Sequence, residues 1–384
     1  MMAQLAYGLL AMTICLPSMP TWGRIFDAPQ AGVQLTFSGY VVAYGCMQLL
    51  YGPLSDRMGR RKVMMLGMAV AALGSLLAAV APSLDWLVAA RVLQGAGSAA
   101  GMVVGRALVQ DLFAGHQRTR VMAFVSMALG LCPPLATVLG GQLHVHLGWQ
   151  AGFVGMGLLA LVLVFMAWRV LPGRRAIQAD RQAHWLRAMG RSYARLLVEP
   201  GFMWSVIILS MTTATFYAFL GGAPIVLGHY GVGPDGVGYY IMFVPFSYFV
   251  GSYLASRLAR TMGERRMMRV GQVSTISGLV IMLVLALVGL RSPLAVALPL
   301  TLLGLGHGLV VPPTLAATVG LVPALAGAAA AVTGLAQQLV GALGGFAVGL
   351  VPHEQGAGNL AWLMLASALA GCLAQWRLHR RRHV

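Results

Sequence analysis

Apolar residues run along this chain in long unbroken blocks separated by short polar turns, with no alternation of apolar and polar positions. The blocks fall at 4–21, 36–54, 63–82, 86–109, 119–143 and 149–171, then at 202–227, 237–258, 267–290, 294–321, 325–351 and 358–377. A bilayer core about 30 Å thick takes about 20 apolar residues per helical crossing. Twelve blocks of this size predict twelve transmembrane helices, and continuous runs exclude a β-barrel. The one sizeable polar insertion, 172–200, divides the blocks six and six. The predicted fold is an all-α polytopic membrane protein of two pseudo-symmetric six-helix bundles, 1–171 and 201–384, joined by a linker at 172–200.

Composition agrees: 59% of residues are hydrophobic, 9% are charged and the mean hydropathy is +0.79. A net charge of +17 would suit a nucleic-acid partner, but the positions of the bases exclude that. They sit in short turns between spans, where Lys and Arg set orientation. Twenty-two lie on one side of the predicted membrane and two, Arg24 and Arg291, on the other; Arg91 and Arg106 lie within span four. That asymmetry predicts a cytoplasmic linker, cytoplasmic termini and a basic cytoplasmic tail. In the linker, Arg181, Arg187, Arg191 and Arg195 alternate with Trp185, Leu186 and Tyr193. This pattern fits an amphipathic helix on an anionic inner leaflet, or equally a solvated linker helix. Cys15, Cys46, Cys132 and Cys372 lie singly in apolar runs and form no metal motif. The first block lacks a basic leader and ends in prolines, so it reads as a retained span.

Five charges crowd the turn after span two, Tyr51-Gly-Pro-Leu-Ser-Asp-Arg-Met-Gly-Arg-Arg-Lys-Val63. A fainter copy, Gly251-Ser-Tyr-Leu-Ala-Ser-Arg-Leu-Ala-Arg-Thr-Met-Gly-Glu-Arg-Arg266, follows span eight. Two parallel halves with a substrate site between them is the layout of one large class of secondary transporters. The first turn closely resembles the loop 2–3 signature of the major facilitator superfamily. Arg91-Val-Leu-Gln-Gly-Ala-Gly97 resembles that family's span-four motif, and Leu16-Pro-Ser-Met-Pro20 resembles the end of span one in its drug:proton antiporters. With Asp111-Leu-Phe after span four, the pattern is closest to the Bcr/CflA-type branch, with EmrD-like multidrug exporters as near relatives.

The resemblance implies a gate. Asp56 would face the amino-terminal end of span eleven, near Pro323, whose dipole carries about half a positive charge. Arg57, Arg60 and Arg61 would shield Asp56 and meet lipid headgroups. A topology signal alone would account for the arginines but not for Asp56 or Gly59. The chain also departs from the family pattern. Thr13 stands where this branch usually carries an acid. Thr137 stands where the span-five motif has proline, although Pro133, Gly140 and Gly141 are kept. All nine acids fall at span ends or in loops, so no carboxylate proton carrier is visible at mid-membrane.

An arginine within a span costs at least about 2.5–3.5 kcal/mol, so Arg91 and Arg106 need a reason. Arg91 reads as a sensor of protonation or an anion ligand in the cavity, or as a snorkelling residue near Trp86. Arg106 reads as a partner of Asp111 or as part of the cytoplasmic mouth. His307, in Leu303-Gly-Leu-Gly-His-Gly308, is the titratable group nearest the membrane centre, either a proton carrier or a packing residue. Asp27, near the outer mouth, is the reserve. Tyr40, Tyr44 and Gln48 form an i, i+4, i+8 stripe on span two, and Gln94 shares a face with Arg91. Tyr217, Phe246 and Gln337 come from the other half. Aromatic walls with few polar groups suit lipophilic ligands, though the same residues could pack helix on helix.

These features predict a monomeric carrier without cofactor or metal. It would sit in a bacterial-type inner membrane and export lipophilic or amphipathic compounds in exchange for protons. The missing acid leaves open a facilitator or symporter for a single native metabolite. A membrane enzyme would need clustered acids, histidines or nucleophiles near one bilayer face, and the sequence has no such cluster.

Overall fold

The computed structural model describes residues 2–113, 115–171, 185–321, 325–352 and 356–381. Pro323, and the linker up to residue 184, lie outside that set. All regular structure among the described residues is helical. The chain forms two compact units, Met1–Arg181 with Gly233–Gly238, and Gln182–Val232 with Tyr239–Val384.

In the first unit, span one is split into α1 (Met2–Thr13), a 3-10 turn at Leu16–Ser18 and α2 (Met19–Ile25). There follow α3 (Gln30–Met58), α4 (Arg60–Ala79), α5 (Leu84–Leu112), α6 (Gly115–Leu147) and α7 (Gln150–Val170). The second unit starts with the short α8 (Trp185–Val198), whose Leu196 is buried with Phe202, Val206 and Ala329. Next in the chain come α9 (Pro200–His229), α10 (Pro234–Ile241), whose first part belongs to the first unit, α11 (Phe243–Met262) and α12 (Glu264–Leu287). The last three are α13 (Pro293–Gly320), α14 (Ala326–Val348) and α15 (Gly358–Arg381).

Ten helical segments among the described residues are long and apolar enough to cross a membrane, with α1–α2 and the α10–α11 stretch each forming one segment. The expected second span, α3, is as long but less apolar, and much of the expected fifth, α6, has side chains outside the described set. In α3 polar residues are buried and several apolar ones face outward. Gln34, Tyr40, Tyr44, Tyr51 and Ser55 are buried, whereas Leu35, Val42 and Leu50 are exposed. Such a helix spends its polar positions on its neighbours and offers its apolar ones to lipid.

Both units follow one packing scheme, made possible by small residues where backbones touch. A Cβ on Gly95 of α5 would fall 2.3 Å from the carbonyl oxygen of Tyr40, and one on Gly304 of α13 equally close to that of Val244. Gly97 meets Gly67 and Ala71 as Gly306 meets Gly271 and Thr275. The basic turns repeat too. Gly59 (φ 93°, ψ 140°) joins α3 to α4, and Gly263 (φ 70°, ψ 153°) joins α11 to α12. Only glycine adopts this backbone without strain, which is why both copies of the motif carry it.

Candidate functional site

The polar centre of the first unit is built around the end of α1. Pro17 has no N–H to give back to the preceding turn, so the helix stops at Thr13 and leaves carbonyl oxygens free. Arg91 takes them. Its Nη1 donates to the carbonyl of Ala11 at 2.8 Å, Nη2 to that of Met12 at 3.5 Å and Nε to that of Thr36 at 3.2 Å. Nη1 also donates to Oε1 of Gln94, and the guanidinium lies 4.3 Å above the Tyr40 ring. From Gln94 the network runs on: Nε2 donates to Oγ of Ser75 at 2.8 Å, and Oη of Tyr7 lies 3.1 Å from the same Oγ. Tyr7 then donates to the Met156 carbonyl at 3.2 Å. One continuous set of bonds therefore ties α1, α3, α4, α5 and α7 together.

Arg91 is 0% exposed, so it does not snorkel to the membrane surface. Its charge is met by the negative end of a helix and a ring face instead of a carboxylate. Thr13, at the position expected to hold an acid, turns its hydroxyl back to the Leu9 carbonyl at 2.9 Å. Thr137 likewise donates to the carbonyl of Pro133 at 2.6 Å, so the hydroxyl adds a bond at a site where proline would remove one.

The packing correspondence of the two units shows how unequal their centres are. Gly95 and Gly97 correspond to Gly304 and Gly306, so Arg91 corresponds to Leu300, Gln94 to Leu303 and Ser98 to His307. The second unit has leucines where the first has its charged core. His307 is buried at the Ser98 position.

The stripe on α3 is divided in use. Tyr40 and Tyr44 are buried, with Tyr40 donating to the Gly8 carbonyl at 2.7 Å and stacked on Tyr44, which packs on Gly8. They bind α3 to α1, and only Gln48 is half-exposed. In the second unit Tyr217 donates to Oε1 of Gln338 at 2.7 Å, and Gln337 to Oγ1 of Thr213 at 3.1 Å, joining α9 to α14. Gln338 and Thr213 were not anticipated from the sequence; the doubled glutamine was the signal. Phe246 is 68% exposed and has no part in these buried polar contacts. Asp27 is exposed in the turn after α2, with φ 48°.

At the other end of the unit, Arg60 holds the basic turn together. It pairs with Asp56 at 2.5 Å and Asp111 at 3.1 Å, and also bonds Oγ of Ser55. Asp111 is thus the partner of Arg60, across from α5 to α4. Arg106, the partner expected from its nearness in sequence, is exposed on α5. These are surface pairs, each worth up to about 1 kcal/mol, so they fix geometry more than they stabilise. Arg57 is exposed and Arg61 half-buried.

The sequence profile described as the Major Facilitator Superfamily matches residues 2–345. The chain belongs to this superfamily. Multidrug resistance protein D of Escherichia coli is 28% identical over 367 residues, 95% of this chain and 91% of that protein. The chloramphenicol resistance protein of Pseudomonas aeruginosa is 28% identical over 302 residues, 77% of this chain and 70% of its own. The crystal structure of a D-xylose-proton symporter overlays 98% of this chain and 96% of its own with a TM-score of 0.77. At 14% identity that likeness speaks for the superfamily fold alone.

Proposed function

We propose that this protein is a multi-pass inner-membrane carrier that exports lipophilic or amphipathic compounds by alternating access, in exchange for protons, and works as a monomer. The observation that carries this reading is the likeness to a multidrug resistance protein over 95% of the chain. A carrier makes and breaks no covalent bond in its cargo, so the protein is not an enzyme. The skew of loop bases supports cytoplasmic termini, with the basic α8 segment and tail facing anionic headgroups. Gln48, Gln94, Tyr40, Tyr44, Tyr217, Phe246 and Gln337 remain the residues to vary for substrate recognition, and His307 and Asp27 those to vary for protons. One observation favours a second reading, a facilitator without proton antiport. Each acid among the described residues lies at a helix end or in a turn, and Arg91 is neutralised by backbone.

Transport of a panel of lipophilic and amphipathic compounds in proteoliposomes, with and without a pH gradient, tests the choice. An exchanger should accumulate at least one compound about tenfold or more under the gradient and lose this when it is collapsed. Equilibration alone, unaffected by the gradient, would establish the facilitator.

The gate at Asp56 belongs to the same proposal. Its carboxylate ends α3 beside Arg60 and is 45% exposed, free enough to meet the dipole of a further helix end. Asp56→Asn should leave expression intact, reduce transport several-fold and change cysteine accessibility at the cytoplasmic ends of the spans. Unchanged accessibility would refute the gate.

A further inference from the structure

The break in span one is held from a second side. At the end of α6 remote from its start, Nδ1 of His144 lies 2.9 Å from Oγ of Ser18, the last residue of the 3-10 turn. One helical turn earlier, a Cβ on Gly140 would fall 1.9 Å from the Ile14 carbonyl, so α6 rests directly on the break. Arg91 grips the carbonyls just before the interruption, and His144 grips the hydroxyl just after it. His144 is half-buried, and neither the span-four core nor the basic turn uses it.

We propose that His144 is the proton-accepting residue of this carrier and acts by changing the hold on Leu16–Ser18. The inference rests on the proton-driven reading above and names the group that serves it. With its hydrogen on Nε2, the neutral ring accepts the Ser18 hydroxyl hydrogen at Nδ1. Taking one proton from water fills Nδ1 and adds one positive charge. The bond then reverses: Nδ1–H donates to Oγ, and the Ser18 hydrogen swings to another acceptor. Releasing the proton restores the first arrangement. The titratable groups on elements packed against α6 are Tyr7 on α1, Cys15 at the break, Asp85, Arg91, Arg106 and Asp111 on α5, and Arg169 at the end of α7. Arg91 is committed to carbonyls. Asp235 comes near α6 as well, its Cα 3.1 Å from where a Cβ on Gly141 would stand. His146, two residues on, is exposed. A histidine in water titrates near pH 6.5, and partial burial lowers His144 from there.

The test is transport in proteoliposomes across an external pH of roughly 5.5 to 7.5 around the imidazole value, comparing wild type, His144→Gln and Ser18→Ala. Glutamine can still bond Ser18 but cannot titrate. His144→Gln should lose pH-driven accumulation at least tenfold, and its affinity for the compound should no longer vary with pH. Ser18→Ala, which keeps the ring but removes its partner, should shift the midpoint of the profile. A wild type whose transport ignores pH would overturn the proton-driven reading, and this inference with it. A pH-dependent wild type matched by both His144→Gln and Ser18→Ala would overturn the inference alone. Should His144→Gln fail to fold, an unshifted midpoint in Ser18→Ala has the same force.

Discussion

Arg91→Ala should remove most of the monodisperse protein from a detergent extract and lower the melting temperature of what remains by roughly 10 °C or more. The substitution takes the guanidinium donor from the carbonyls of Ala11 and Met12 and from Oε1 of Gln94 in a site with no exposure. Each buried acceptor left without its donor costs about 1–3 kcal/mol, together a large part of the 5–15 kcal/mol that holds an ordinary domain together. In proteins of this size 1 kcal/mol corresponds to about 2–4 °C. Arg91→Lys should recover only part of the loss, because one ammonium cannot reach carbonyls on two helices that a fork spans. Fluorescence-detected size-exclusion chromatography after heating measures both. A wild-type melting profile in Arg91→Ala would show that the guanidinium does not hold the core, and that the Ala11 and Met12 carbonyls find other donors.

Gly140→Ala should cut transport by about tenfold or more and destabilise by roughly 1–3 kcal/mol, the usual cost of overpacking. The added methyl would stand 1.9 Å from a backbone oxygen at Ile14, and backbone cannot swing aside as a side chain can. Relief requires α6 to move away from the break by more than an ångström, carrying His144 with it. Gly155→Ala on α7 is the matched control: nothing lies within 4 Å of its Cβ, so it should transport like wild type. Equal behaviour of the two variants would sink the claim that α6 must touch the interrupted helix.

Span number, the repeated basic turn and the importance of Arg91 and Gln94 are legible in the sequence, because each follows from runs of solvent-sized length or from charge where charge is costly. Partners are harder to read. Helical spacing places Tyr40, Tyr44 and Gln48 on one face without saying that α1 covers most of it. Nearness in sequence offers Arg106 to Asp111 as one of two roles, yet the turn at Gly59 brings Arg60 there across 51 residues. Pro17 and Pro20 marked an end to span one, but the split into two helices and the use of its bare carbonyls depend on residues 80 positions away. His144 gave no motif at all, since one histidine near a span end has many ordinary explanations.

The interrupted first helix has a consequence for biogenesis. When α1 leaves the translocation channel it carries carbonyls that lipid cannot satisfy, a cost of several kcal/mol for each such group. When α5 follows, Arg91 brings its own cost of about 2.5–3.5 kcal/mol. Each debt is offset in part by the other. The first-made span must therefore wait, sheltered by the insertion machinery or by its own neighbours, until the fourth is delivered, and a chain halted between them has no settled place in the bilayer. The same bonds that hold the finished unit rigid set the order in which it can be assembled, and they mark any product ending before residue 91 for quality control.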